Sequence, residues 1–122
     1  MKRRAVITGI GVISSIGHDT RAFWESCLAG QTRVAPIPEE WRRYADYRCG
    51  VWAPLLPVDY GRYGLTRIEI MQHDPAALLA IGAAMQALDQ ARIGHELRDP
   101  KQNARSLQGV ESGRCGVFVG TG

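Results

Sequence analysis

The apolar pattern changes period along the chain, and each change marks an element. Ala5-Val6-Ile7-Thr8 is a short, nearly unbroken apolar run. Without alternation, it predicts a strand covered on both faces, as inside a sheet. From Gly9 to His18 the apolar residues are punctuated by glycine and serine, which predicts a loop. The period then turns helical. Phe23 and Cys27 are four apart, as are Trp24 and Leu28, so they share one apolar face. Asp19-Thr20 supplies N-cap chemistry and Gly30 a C′ residue, so the predicted helix runs to about Ala29.

Residues 31–66 show no clear period. They hold Pro36, Pro38, Pro54 and Pro57 among Trp41, Tyr44, Tyr47, Trp52, Tyr60 and Tyr63. A short strand is expected around Cys49 to Ala53. The rest reads as a long connection, a feature usually tied to function or to an interface. The aromatics lack the repeated spacing and basic interleaving of a nucleic-acid stacking platform. Packing against the protein's own surface or a subunit partner is expected instead.

Asp74-Pro75 predicts a second helix, with Asp as N-cap and Pro at the first helical position. It extends to about Arg92, with Gly94 as its terminator. Leu78, Ile81, Met85 and Leu88 line one face. Ala76, Ala77, Ala80, Gly82, Ala83, Ala84, Ala87 and Ala91 keep the remainder small. Such a helix is expected to be buried, with other elements approaching closely. It calls for more covering structure than 122 residues readily provide. Residues 95–114 are polar, with turn signals at Asp99-Pro100 and Glu111-Ser112-Gly113. Cys115-Gly116-Val117-Phe118-Val119-Gly120 then reads as a second buried strand. A central strand so close to Gly122 predicts a piece of a larger fold.

Composition removes several function classes. A net charge of +3, concentrated only at Lys2-Arg3-Arg4 and Arg42-Arg43, is too small and scattered to predict nucleic-acid binding. Thr8, Gly9 and Gly11 interrupt the first apolar run too early for a signal peptide. Gln86, Asp89 and Gln90 break the alanine-rich stretch, so it does not predict a membrane span. The expected location is cytoplasmic. Cys27, Cys49 and Cys115 are odd in number and lack CxxC spacing, which predicts reduced thiols. His18, His73 and His95 lie far from them and from one another, so no local metal pattern exists.

The glycine loop raises the question of a dinucleotide cradle, which needs G-x-G-x-x-G between strand and helix. Gly9 and Gly11 fit the first two positions, but Ser14 occupies the third. Asp19 would set a negative charge where a phosphate must bind. Glu39 and Glu40, the acids available for a ribose, lie in a proline-flanked loop. The alternative is that glycine lets the backbone pack closely on a neighbouring element.

Three stretches together carry a family resemblance. "RRAVITGIGVISSIGHDTRAFWESCLAG" resembles the N-terminus of the β-ketoacyl-acyl-carrier-protein synthases, with Phe23, Trp24, Leu28 and Gly30 filling a family pattern. "LLAIGAAMQALDQARI" is similar to the family's alanine-rich helix, and "RCGVFVGTG" to its glycine-terminated strand. Of the family's Met-Asp-Arg helix start, only Asp74 is kept in His73-Asp74-Pro75.

The resemblance implies an α/β, thiolase-like fold with α-β-α-β-α layers, of which residues 1–122 would be the incomplete beginning of the N-terminal half. It implies a decarboxylative Claisen condensation with acyl carrier protein as partner, and assembly as a homodimer or with a related subunit. No cofactor is implied. The family's Cys-His-His set has no counterpart in this chain, so no catalytic, cofactor-binding or metal residue is assigned. Cys27, Cys49 and Cys115 are expected to be structural. His18 is expected near the first helix cap, and His73 and His95 exposed near the ends of the second helix. Two other readings share these residues: a non-condensing, chain-length-factor-like partner subunit, and a free-standing interaction module.

Overall fold

The computed structural model describes residues 4–99 and 104–120. Helix α1 spans Thr20–Leu28, α2 Arg67–Gln72 and α3 Pro75–Gln90. Two small antiparallel pairs join them. β1 (Ala35–Pro36) pairs with β2 (Val51–Trp52), and β3 (His95–Asp99) with β4 (Ala104–Leu107). Short 3-10 turns lie at Glu39–Arg43, Tyr60–Tyr63 and Ser112–Arg114.

The helix starts follow the sequence closely. The Asp19 carboxylate accepts the Ala22 N–H at 2.8 Å, and Asp74 accepts that of Ala76 at 2.8 Å, ahead of Pro75. Each satisfies a donor that the first helical turn leaves without a partner. Asp74→Ala is expected to cost about 1 kcal/mol of α3 stability, measurable as a lower helix-melting midpoint by circular dichroism. Gly30 takes φ +63 after α1, as expected of a C′ residue.

Helix α3 ends differently from expectation. Arg92, not Gly94, adopts the left-handed conformation, at φ 57. The Arg92 N–H reaches the Asp89 carbonyl and the Ile93 N–H the Leu88 carbonyl, both at 3.0 Å. This is a Schellman closure that satisfies late helix carbonyls. Helix α2 also goes beyond the sequence reading. Its Thr66-x-x-Glu69 start forms a capping box, with each side chain bonding the other's backbone N–H. The polar stretch from residue 95 contains the β3–β4 hairpin rather than turns alone, and Pro100 of its expected turn lies outside the described residues.

Both expected buried strands need correction. Among the described residues, neither the run at 5–8 nor the one at 115–120 joins a ladder. Val6 and Ile7 are 76% and 84% exposed, and Phe118 is 97% exposed. A sheet-centre strand requires a hydrogen-bonded neighbour along each edge, and these two segments have none. The Cys49–Ala53 strand shortens to Val51–Trp52. On α1, Cys27 and Leu28 are exposed and only Phe23 and Ala22 among the apolar side chains are half-buried, so that face lacks a partner too.

Among the described residues, the buried hydrophobic side chains are Ile37, Tyr63 and Leu78. The accessible surface is 10333 Å², against about 6,500 Å² for a compact monomer of this length. Where the aromatics do pack, they pack on the chain itself. The rings of Trp41 and Trp52 lie 4.7 Å apart at 59°, stapling the β1–β2 pair to the turn at Glu39–Arg43.

Candidate functional site: the glycine loop on the alanine-rich helix

The loop from Gly9 to Ile13 runs antiparallel to α3 in direct backbone contact. A Cβ on Gly9 would overlap the Ala87 carbonyl, and one on Gly11 the Ala83 carbonyl, one helical turn earlier. Gly82 completes the match from the helix side, where a Cβ would strike Ile13 and the Tyr63 ring. Small residues on both surfaces therefore bring the two backbones together. Gly17 plays the same part at α1, closing on the backbone of Phe23.

Two glutamines of α3 fix the register. Gln90 Oε1 accepts the Ile10 N–H at 2.6 Å, and Gln86 Oε1 accepts the Val12 N–H at 3.0 Å. The Gln86 amide also donates to the His18 carbonyl at 2.7 Å and to the Tyr63 hydroxyl at 2.8 Å. One side chain thus joins the loop, α3 and the Tyr60–Tyr63 turn. From α1, Ser26 Oγ donates to the Ile16 carbonyl at 2.7 Å, and Ser14 and Gly17 close the bend between them.

This geometry answers the phosphate question. A cradle needs free N–H groups facing an open site. Here the N–H groups of Ile10 and Val12 are taken by glutamines, and the glycines face helix backbone. The Ala22 N–H at the start of α1 is held by Asp19.

The other weighed residues remain apart. Cys27, Cys49 and Cys115 are free and exposed, and the Cys49 thiol approaches the Val51 carbonyl at 3.3 Å. His18 is half-buried with Nε2 lacking a partner; Asp19, not His18, caps α1. His73 is exposed, as expected, after α2. His95 departs from expectation, being half-buried between α3 and β4. Tyr60 is no candidate base, since burial first and Tyr63 second push its phenol above the usual range. Among the described residues, no group of three His, Cys, Asp or Glu side chains could hold a metal. No described helix is long and apolar enough to cross a membrane.

On an adjoining flank of α3, Ala77, Ala80, Ile81 and Ala84 line an open apolar groove of about 820 Å³ together with Val117, Phe118 and Val119. The small-residue helix therefore serves two surfaces. One is closed by the glycine loop; the other is lined by the second extended apolar run.

Residues 2–122 match the family description "Beta-ketoacyl synthase, N-terminal domain". The chain belongs to this family. Membership carries the thiolase-like fold, and the loop, α3 and the final apolar run follow one another in the order the resemblance implied. The β-ketoacyl synthase domain here is 25% identical over 123 residues to 3-oxoacyl-(acyl-carrier-protein) synthase 2 of Synechocystis, covering 99% of this chain and 26% of the relative. It is 29% identical over 99 residues to nodulation protein E of a Rhizobium species, covering 81% and 24%. It is 33% identical over 118 residues to the "Actinorhodin polyketide putative beta-ketoacyl synthase 1" of Streptomyces coelicolor, covering 88% and 25%. The chain thus spans about a quarter of the length of these curated relatives.

Proposed function

We propose that this chain is the opening portion of a 3-oxoacyl-acyl-carrier-protein synthase of fatty acid or polyketide-type synthesis. The whole protein would carry out a decarboxylative condensation. A cysteine thiolate takes an acyl group from its carrier, malonyl-carrier loses carbon dioxide, and the resulting carbanion attacks the acyl thioester. The new C–C bond forms as the thiolate leaves. Acyl carrier protein would be its partner, the cytoplasm its location, and a dimer with itself or a related subunit its assembly.

The observation that carries the reading is the closure of Gly9 and Gly11 on α3 within a family match covering residues 2–122. Residues 1–122 would then supply the framework and none of the reacting groups. In the layered α-β-α-β-α fold, the runs at 5–8 and 115–120 would become sheet strands, flanked by strands from the remainder of the protein. Their exposed apolar side chains and the open groove beside α3 fit that role.

Two measurements test this. The 122-residue polypeptide, given acyl- and malonyl-carrier protein, is expected to form no 3-oxoacyl product above background. Turnover would overturn the framework role. A chimera in which residues 2–122 replace the matching quarter of the Synechocystis synthase is expected to retain condensation. A soluble, folded chimera without activity would count against the assignment.

A further inference from the structure

We propose that the groove beside α3 takes a second copy of this chain, the two Val117–Val119 runs pairing antiparallel about a two-fold axis at Phe118. The groove is built for an apolar occupant. Of the residues that line it, only Asp74 is charged. Ala77, Ala80 and Ala84 leave room above the helix for a backbone to approach, as the glycine loop does at Ala83 and Ala87. On its other wall, Val117, Phe118 and Val119 are 88%, 97% and 69% exposed. Among the described residues this run joins no ladder, so its edges are open. An open apolar edge is a template for pairing with another chain.

The sequence of the run makes that other chain a copy of itself. Gly116-Val117-Phe118-Val119-Gly120 reads the same in both directions. A two-fold axis across two identical strands makes them antiparallel and sets the same patch of each against the other. With the axis at Phe118, Val117 lies opposite Val119 and Gly116 opposite Gly120. The valines then form cross-strand pairs on one face, and the two Phe118 rings meet on the other. The glycines make room for the rings. Phe118 leans over Gly116, where a Cβ would lie 3.1 Å from its Cε2 atom. Each ring leans toward its own N-terminal side, so the two lean to opposite ends of the pair and do not collide. Nothing lies within 4 Å of a Cβ at Gly120, so the space opposite Gly116 is open as well.

The surface available is sufficient. The chain's accessible surface of 10333 Å² exceeds that of a compact monomer by about 3,800 Å². A stable two-chain interface takes about 1,600 Å². Each run covers its own copy's groove wall and lies beside the partner's α3, so the pairing covers both grooves at once.

The test is the mass of the 122-residue chain by sedimentation equilibrium over a range of concentrations. A reversible monomer–dimer equilibrium is expected. Phe118→Glu sets two like charges against each other at the axis and removes the central ring. It should raise the dimer dissociation constant at least about 30-fold. Tyr44→Glu, at an exposed ring that does not line the groove, should leave it unchanged. In a dimer of mixed labelled and unlabelled wild-type chains, NMR should show contacts between Val117 methyls of one copy and Val119 methyls of the other. That readout fixes the register even if a variant fails to fold. A single-chain mass at every concentration would overturn the proposal and leave the groove to another segment or protein. Open-ended aggregates, or a dimer indifferent to Phe118→Glu, would overturn it too. In the proposed synthase, strands of the remainder would take the second copy's place. None of these readouts depends on condensation, so failure here is distinct from failure of that reading.

Discussion

Gly11→Val is expected to destabilise the chain by about 3 kcal/mol, at the upper end of overpacking costs, and to lift the N-terminal loop off α3. The obstacle a side chain meets at Gly11 is the Ala83 carbonyl, with the Ala83 Cα behind it. A rotamer change relieves a clash with the tip of a flexible side chain; it does nothing for one with helix backbone. The loop must therefore retreat, and retreat stretches the Val12 bond to Gln86 as well. The result should appear in urea unfolding and as faster amide exchange at Ile10 and Val12. Gly11→Ala should show the same effect in smaller form, because Cβ alone makes the overlap. Gly50→Ala is the control, since nothing lies within 4 Å of a Cβ there. It should be neutral or slightly stabilising, through the lower entropy of the unfolded chain. Equal effects at positions 11 and 50 would show that close packing is not the reason for glycine in the loop.

The difference between what the sequence disclosed and what it concealed is physical. Asp19, Asp74 and Pro75 were legible because capping is local: donor and acceptor lie within one helical turn. The small face of α3 was legible too, since only close approach explains so many alanines beside Gly82. Which residues approach was hidden, because Gly11 and Ala83 are distant in sequence. The apolar runs at 5–8 and 115–120 were read as buried from their composition. Composition states a preference for burial but supplies no covering layer, and Val117 remains 88% exposed. Helix α2 and the β3–β4 hairpin were missed for opposite reasons. The Thr66–Glu69 box was there to be found. The hairpin strands, His95–Asp99 and Ala104–Leu107, lack strict apolar alternation and are defined mainly by their pairing. For the site, the spacing around Ser14 and the charge of Asp19 already argued against a phosphate loop. Only the structure shows what occupies the loop's N–H groups instead.

Those occupants lead to the second large effect. Gln86→Leu is expected to cost about 2–3 kcal/mol, since the Val12 N–H, the His18 carbonyl and the Tyr63 hydroxyl all lose a partner in a half-buried place. The leucine is close in size and no worse a helix former, so loss of volume or propensity does not account for the penalty. Gln86→Glu separates the contributions. Its carboxylate still accepts from Val12, and the Tyr63 hydroxyl can turn to donate, but nothing remains for the His18 carbonyl. An intermediate loss is therefore expected, along with local loosening at His18 and Asp19, where α1 begins. Gln90→Leu should cost less than Gln86→Leu, because its single bond to Ile10 is exposed and water can replace it. Urea unfolding of the three variants, with amide exchange at Val12 and Ala22, gives the order directly. If Gln86→Leu were neutral, or no worse than Gln90→Leu, the glutamine would be merely a polar break in an apolar helix. The expected order instead makes it the side chain that sets the register of the glycine loop on α3.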